Sequence, residues 1–136
     1  PEGDHRTRTE LPEFLSKLKQ TVTELARVGV QPVLMTLPPI DGARYLDYIC
    51  RGGLSRDSIM RWLGDVGCIY RYQELYSDTV ASFAMREGLP LIDVRRRFLP
   101  QRDLSELISA DGIHLTMPGY RQLFDTLAQW VVPQLA

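Results

Sequence analysis

Two side chains in this 136-residue sequence have the types and spacing to move a proton. They are Asp111 and His114, in the run Asp111-Gly112-Ile113-His114-Leu115. An Asp-Gly step favours a tight turn, and such a turn sets the Asp111 carboxylate against Nδ1 of His114. A carboxylate at that nitrogen fixes the tautomer, leaves Nε2 free to take a proton and stabilises the imidazolium that forms. An acid–histidine pair of this kind serves a nucleophile. Taken alone the tetrapeptide is ambiguous, because a histidine ahead of a helix also packs or caps. Position has to decide between the two. The other histidine, His5, stands in the polar lead-in over residues 1–10 and carries no expected role.

Position follows from the elements around the pair. Apolar residues Phe14, Leu15, Leu18, Val22, Leu25 and Ala26 recur at helical spacing, which predicts a helix over about 11–28. The run 31–37, closed by Pro38-Pro39, and the run 89–94 are short and apolar on both faces, as parallel strands covered by helices are. A helix over 69–87 lies between them. A last helix over 118–131 is opened by Thr116, with Tyr120, Leu123, Phe124, Leu127 and Val131 as its stripe. The order helix, strand, helix, strand, helix argues for an α/β domain with an open parallel sheet. Two strands rarely suffice for a sheet, so further strands are expected upstream, in a missing N-terminal portion of the same protein. The start at Pro1, without a methionine, agrees with that expectation.

Ligands of open α/β sheets bind outside the carboxyl ends of the strands. Both the segment 38–68 and the segment 95–115 leave from that edge. At about thirty residues, 38–68 far exceeds the roughly 2–6 usual for an α/β connection, and insertions there commonly shape a site. It holds Tyr45, Tyr48 and Trp62, with a short helix expected over 56–63. Trp62, Tyr45 and Ile113 are therefore the expected substrate-lining residues beside His114. An inert excursion with its own aromatic core is the plain alternative.

Composition narrows the partners. Sixteen basic against seventeen acidic residues, a net charge of −1, gives no field for sequence-blind nucleic-acid binding. No apolar run approaches the ~18 residues that span a bilayer. His5 and His114 are not spaced as paired ligands and no Cys/His cluster exists, so neither metal nor cofactor is expected. Cys50 and Cys68 are expected as free thiols, with the cytoplasm the favoured compartment. Arg95-Arg96-Arg97 and Arg102 read as a solvated face, since the chain uses arginine throughout and has only two lysines, Lys17 and Lys19.

The run Asp111-Gly112-Ile113-His114-Leu115, followed by Pro118-Gly119-Tyr120, resembles the last block of the GDSL/SGNH hydrolases, in its bacterial lipase/esterase subgroup. Val33-Leu34-Met35-Thr36-Leu37-Pro38-Pro39 resembles the family's fourth strand and following loop, and Leu91-Ile92-Asp93-Val94 its fifth. The segment from Trp62 through Tyr76 is similar to that subgroup's insert, so the likeness runs over about 11–131. It implies a three-layer flavodoxin-like parallel sheet, of which this chain holds the C-terminal portion with the last two strands. It also implies a Ser-His-Asp triad cleaving esters, with His114 as general base and Asp111 as its orienting acid. The departure is equally plain. The family's Gly-Asp-Ser block is absent, and a chain without asparagine cannot hold its Gly-x-Asn-Asp block.

The expected function is thus a serine ester hydrolase acting on a small acylated sugar or acyl ester. Its serine and oxyanion donors lie upstream, so the 136-residue chain alone is expected to be inactive. The alternative is a noncatalytic module of the same type that binds a carbohydrate or acyl ligand. An unrelated doubly wound domain is disfavoured by the lack of a glycine-rich phosphate loop.

Overall fold

The computed structural model describes residues 9–136, so the lead-in, including His5, lies outside the described residues. Helix α1 (Leu11–Arg27) starts with Pro12 in its first turn, where a missing N–H costs nothing, and ends where Gly29 turns at φ +78°. Strand β1 (Leu34–Met35) leads into α2 (Gly42–Arg51), α3 (Arg56–Leu63) and the long α4 (Gly67–Glu87). Strand β2 (Leu91–Ile92), short helices α5 (Arg95–Phe98) and α6 (Leu104–Leu107), then α7 (Met117–Val131) and a closing 3-10 turn complete the order.

The two strands pair in parallel, Leu34 with Leu91 and Met35 with Ile92, and α4 makes the crossover. The expected three-layer flavodoxin-like sheet is not what the chain forms. Some 65% of the described residues are helical, and they hold only this pair of two-residue strands. Proline limits the pairing. Pro32 and Pro38-Pro39 bracket β1, and Pro90 precedes β2, so the apolar runs extend beyond the ladder they can make. Alternating helices and strands are thus met here by a helical body around a minimal parallel ribbon.

One core cluster gathers around β2 and the helices that follow it. Ile92, Val94, Phe98 and Leu107 are buried together, and Met35, Leu104, Leu115, Leu123, Leu127 and Trp130 pack on them half-buried. Burying such side chains stabilises by about 1.5–3 kcal/mol each. Leu107 and Leu115 bear most directly on the acid–histidine pair, because they flank the loop that carries Asp111 and His114. Elsewhere Leu46 of α2 is wholly buried, Val80, Phe83 and Ala84 of α4 are buried, and α1 meets α4 through the edge-on contact of Phe14 with Tyr76 at 5.0 Å. No helix among the described residues is long and apolar enough to cross a membrane.

Candidate functional site: an acid–histidine turn held by α2

The chain between α6 and α7 folds back on itself. Ile108 and Leu115 form an antiparallel bridge, Ser109 N donates to the His114 carbonyl at 2.8 Å, and Gly112 N donates to the Ser109 carbonyl at 3.0 Å. At the exit Thr116 caps α7 by accepting from Gly119 N, and its hydroxyl donates to the Glu106 carbonyl. Both ends of the turn are therefore fixed to the core and to a helix, which leaves little freedom for the residues at its tip.

Within the turn the Asp111 carboxylate is the hub. Its Oδ1 accepts from the Ser109 hydroxyl at 2.5 Å and from the backbone N–H groups of Ile113 and His114, each at 3.0 Å. Its Oδ2 faces Nδ1 of His114 at 2.5 Å. Four donors converge on one carboxylate. The Ser109 hydroxyl, the His114 ring and the two backbone N–H groups, in that order of weight, hold the Asp111 carboxyl far below the ordinary carboxylate range. Asp111 is mostly covered while the imidazole is 68% exposed, so Nε2 faces outward. That arrangement can orient a ring and back its positive charge; among the described residues no hydroxyl hydrogen-bonds to Nε2.

Segment 38–68 does reach this turn, through backbone rather than through aromatic rings. Asp41 N donates to the Gly112 carbonyl at 2.8 Å, and Asp41 caps α2 by accepting from Arg44 N. Gly112, at φ +81°, lies so close to α2 that a Cβ there would stand 2.4 Å from the Asp41 carbonyl oxygen and from Tyr45 N. Only glycine meets both demands. From the same helix Arg44 donates through Nη1 to the carbonyls of Ser105 and Ile108, at 2.8 and 2.7 Å. The first helix of the segment thus grips the base of the acid–histidine turn.

The other expected lining residues fare differently. Tyr45 is half-buried with its backbone against Gly112, and Ile113 is 40% exposed next to the histidine. Trp62 sits on α3, 47% exposed, and among the described residues no hydrogen bond or ring contact ties it to the pair. Cys50 and Cys68 are both free and half-buried. Sequence reasoning missed the clamp of Arg44, whose only signal was the capping aspartate three residues before it.

Because the Asp111 carboxyl is depressed, its contribution to stability is complete above about pH 4, the range of an unfolded aspartate. It is lost only as pH falls through the lower folded value. We expect Ser109→Ala to raise the Asp111 titration midpoint measured by carboxyl carbon NMR, since that hydroxyl has the largest effect on it. An unchanged midpoint would remove Ser109 from the network. No protein-family model and no curated protein matches this chain.

Proposed function

We propose that His114 is the general base of a serine ester hydrolase, with Asp111 as its orienting carboxylate, and that the nucleophile lies in sequence upstream of this chain. The observation that carries the proposal is the 2.5 Å approach of Oδ2 to Nδ1 beneath an outward-facing ring. Nε2 of His114 takes the proton from the serine hydroxyl as the oxygen attacks the acyl carbon. The resulting imidazolium then gives that proton to the departing alkoxide, leaving an acyl-serine. In the second half His114 takes a proton from water as it attacks the acyl-serine, and returns the proton to the serine. Asp111 remains ionised throughout, as its depressed titration favours, and balances the transient positive ring.

The substrate class that the motif resemblance supports is a small ester, an acylated sugar or a simple acyl ester. A fluorophosphonate probe on the protein extended upstream of Pro1 tests the reading, because only an activated serine reacts with it. We expect one labelled serine, and labelling that falls sharply in His114→Ala. A protein that takes no label but binds a sugar or acyl ligand would instead be the noncatalytic module.

A further inference from the structure

Helix α7 carries two apolar faces, and the fold uses only one. Leu123, Leu127 and Trp130 pack on the core cluster. At about 100° per residue, Met117, Tyr120, Phe124 and Val131 fall on a second stripe, within about 60° of one another. All four are exposed, Met117 by 77% and Phe124 by 68%. The stripe continues through Val132 and Leu135 of the closing turn, both also exposed. The exposed fractions of these six leave roughly 600 Å² of apolar surface along one side of a single helix. That equals the largest apolar patches of ordinary monomers, and it is about three quarters of the ~800 Å² that each member of a stable pair buries.

Charge indicates what covers it. Arg121 and Asp125 border the stripe on one flank, the one turned away from the core. Both are exposed, and among the described residues neither side chain enters a hydrogen bond or an ion pair. They stand four apart with the base first, the less favourable order for pairing along one helix. A flank with one base and one acid is its own complement when α7 meets a second α7 running the opposite way. A two-fold axis perpendicular to both helices brings the same flank of each copy together. Centred at the level of Leu123, that axis sets Arg121 of each copy level with Asp125 of the other. Tyr120 of each copy then lies about 3 Å along the axis from Phe124 of the other, and Met117 falls between the levels of Ala128 and Val131. Charge pairing and apolar matching thus agree on one register.

We propose that this face of α7 is the interface of a symmetric homodimer, in which the helices of two copies pack antiparallel. Tyr120 and Phe124 are its apolar centre, and two reciprocal Arg121–Asp125 pairs fix its register. A lipid surface or an acyl chain would match the apolar residues as well, but would leave both charges without partners. The same register sets His114 of each copy level with Val132 of the other, so pairing brings apolar surface toward the outward-facing ring. The interface stands independently of the ester-hydrolase proposal, since it needs no nucleophile and no histidine.

Sedimentation velocity of the 136-residue chain, over a micromolar concentration series at low salt, is the test. We expect a reversible monomer–dimer equilibrium, since the patch is smaller than that of tight complexes. Phe124→Lys, at an exposed position, should leave thermal unfolding of the monomer unchanged and weaken the dimer by about a hundredfold. Arg121→Asp and Asp125→Arg each set like charges opposite one another twice per dimer, and each should weaken it by about tenfold. Combined in one chain they exchange the two charges and should restore the parent affinity. A chain that stays monomeric throughout, a dimer untouched by Phe124→Lys, or single reversals that the double variant does not rescue would overturn the interface. So would a monomeric protein extended upstream of Pro1, because the upstream sequence would then cover the stripe.

Discussion

Replacing His114 by alanine is expected to lower kcat for ester hydrolysis by about 10⁶-fold in the protein extended to include its serine, with KM much less affected. The size follows from the unit behaviour of a nucleophile and its base: without a proton acceptor at Nε2 the hydroxyl is hardly nucleophilic at neutral pH. Asp111→Asn should cost less, about 10⁴-fold, because the ring remains but its tautomer is no longer enforced. Here the amide would face Nδ1 in place of Oδ2, and the acceptor opposite the imidazolium would be lost. Steady-state kinetics on a chromogenic ester separates the two effects. Equal, small losses in both variants would mean that the pair is structural.

The second large effect belongs to Gly112. We expect Gly112→Ala to destabilise the chain by about 2–5 kcal/mol, from the left-handed backbone a side chain resists and from overpacking against α2. The contacts are with backbone, the Asp41 carbonyl and Tyr45 N at 2.4 Å, so no side chain can rotate away. Relief would require α2 to lift, which would break the Asp41–Gly112 hydrogen bond and the Arg44 grip together. Denaturant unfolding measures the loss. A variant as stable as the parent would show that α2 and the turn are not rigidly joined.

What could be read along the chain divides by range. Asp111 and His114 meet because they are three residues apart across an Asp-Gly turn, an interaction that a local sequence declares. The limits of α1, α3, α4 and α7 were nearly legible for the same reason, from periodicity and from local signals such as the Thr116 cap. Which face of a helix is buried is decided by its neighbours. In α7 Leu123 and Leu127 turn to the core, while Tyr120 and Phe124 of the same expected stripe are 48% and 68% exposed. In α4 Val80, Phe83 and Ala84 are buried but Tyr72 and Leu75 are 46% and 44% exposed.

The extent of the sheet was overestimated, since an apolar run bounded by proline looks the same whether two residues pair or six. Helix α2 was hidden inside what reads as a long connection, although Asp41-Gly42 is a capping signal. Arg95 was equally hidden. Three consecutive arginines look alike in sequence, and only the tertiary fold buries the first while Arg96 and Arg97 stay exposed. Long-range geometry, not composition, sets one of them apart.

The chemistry proposed for the turn requires that the Asp111 carboxylate hold the His114 ring with its proton on Nδ1 and its lone pair on Nε2. Long-range 15N–1H NMR of the imidazole reads this out without any substrate. For the neutral ring we expect a protonated Nδ1 with a strongly deshielded proton and an unprotonated Nε2, a pattern lost in Asp111→Asn. A neutral His114 that carries its proton on Nε2, unchanged by Asp111→Asn, would contradict it.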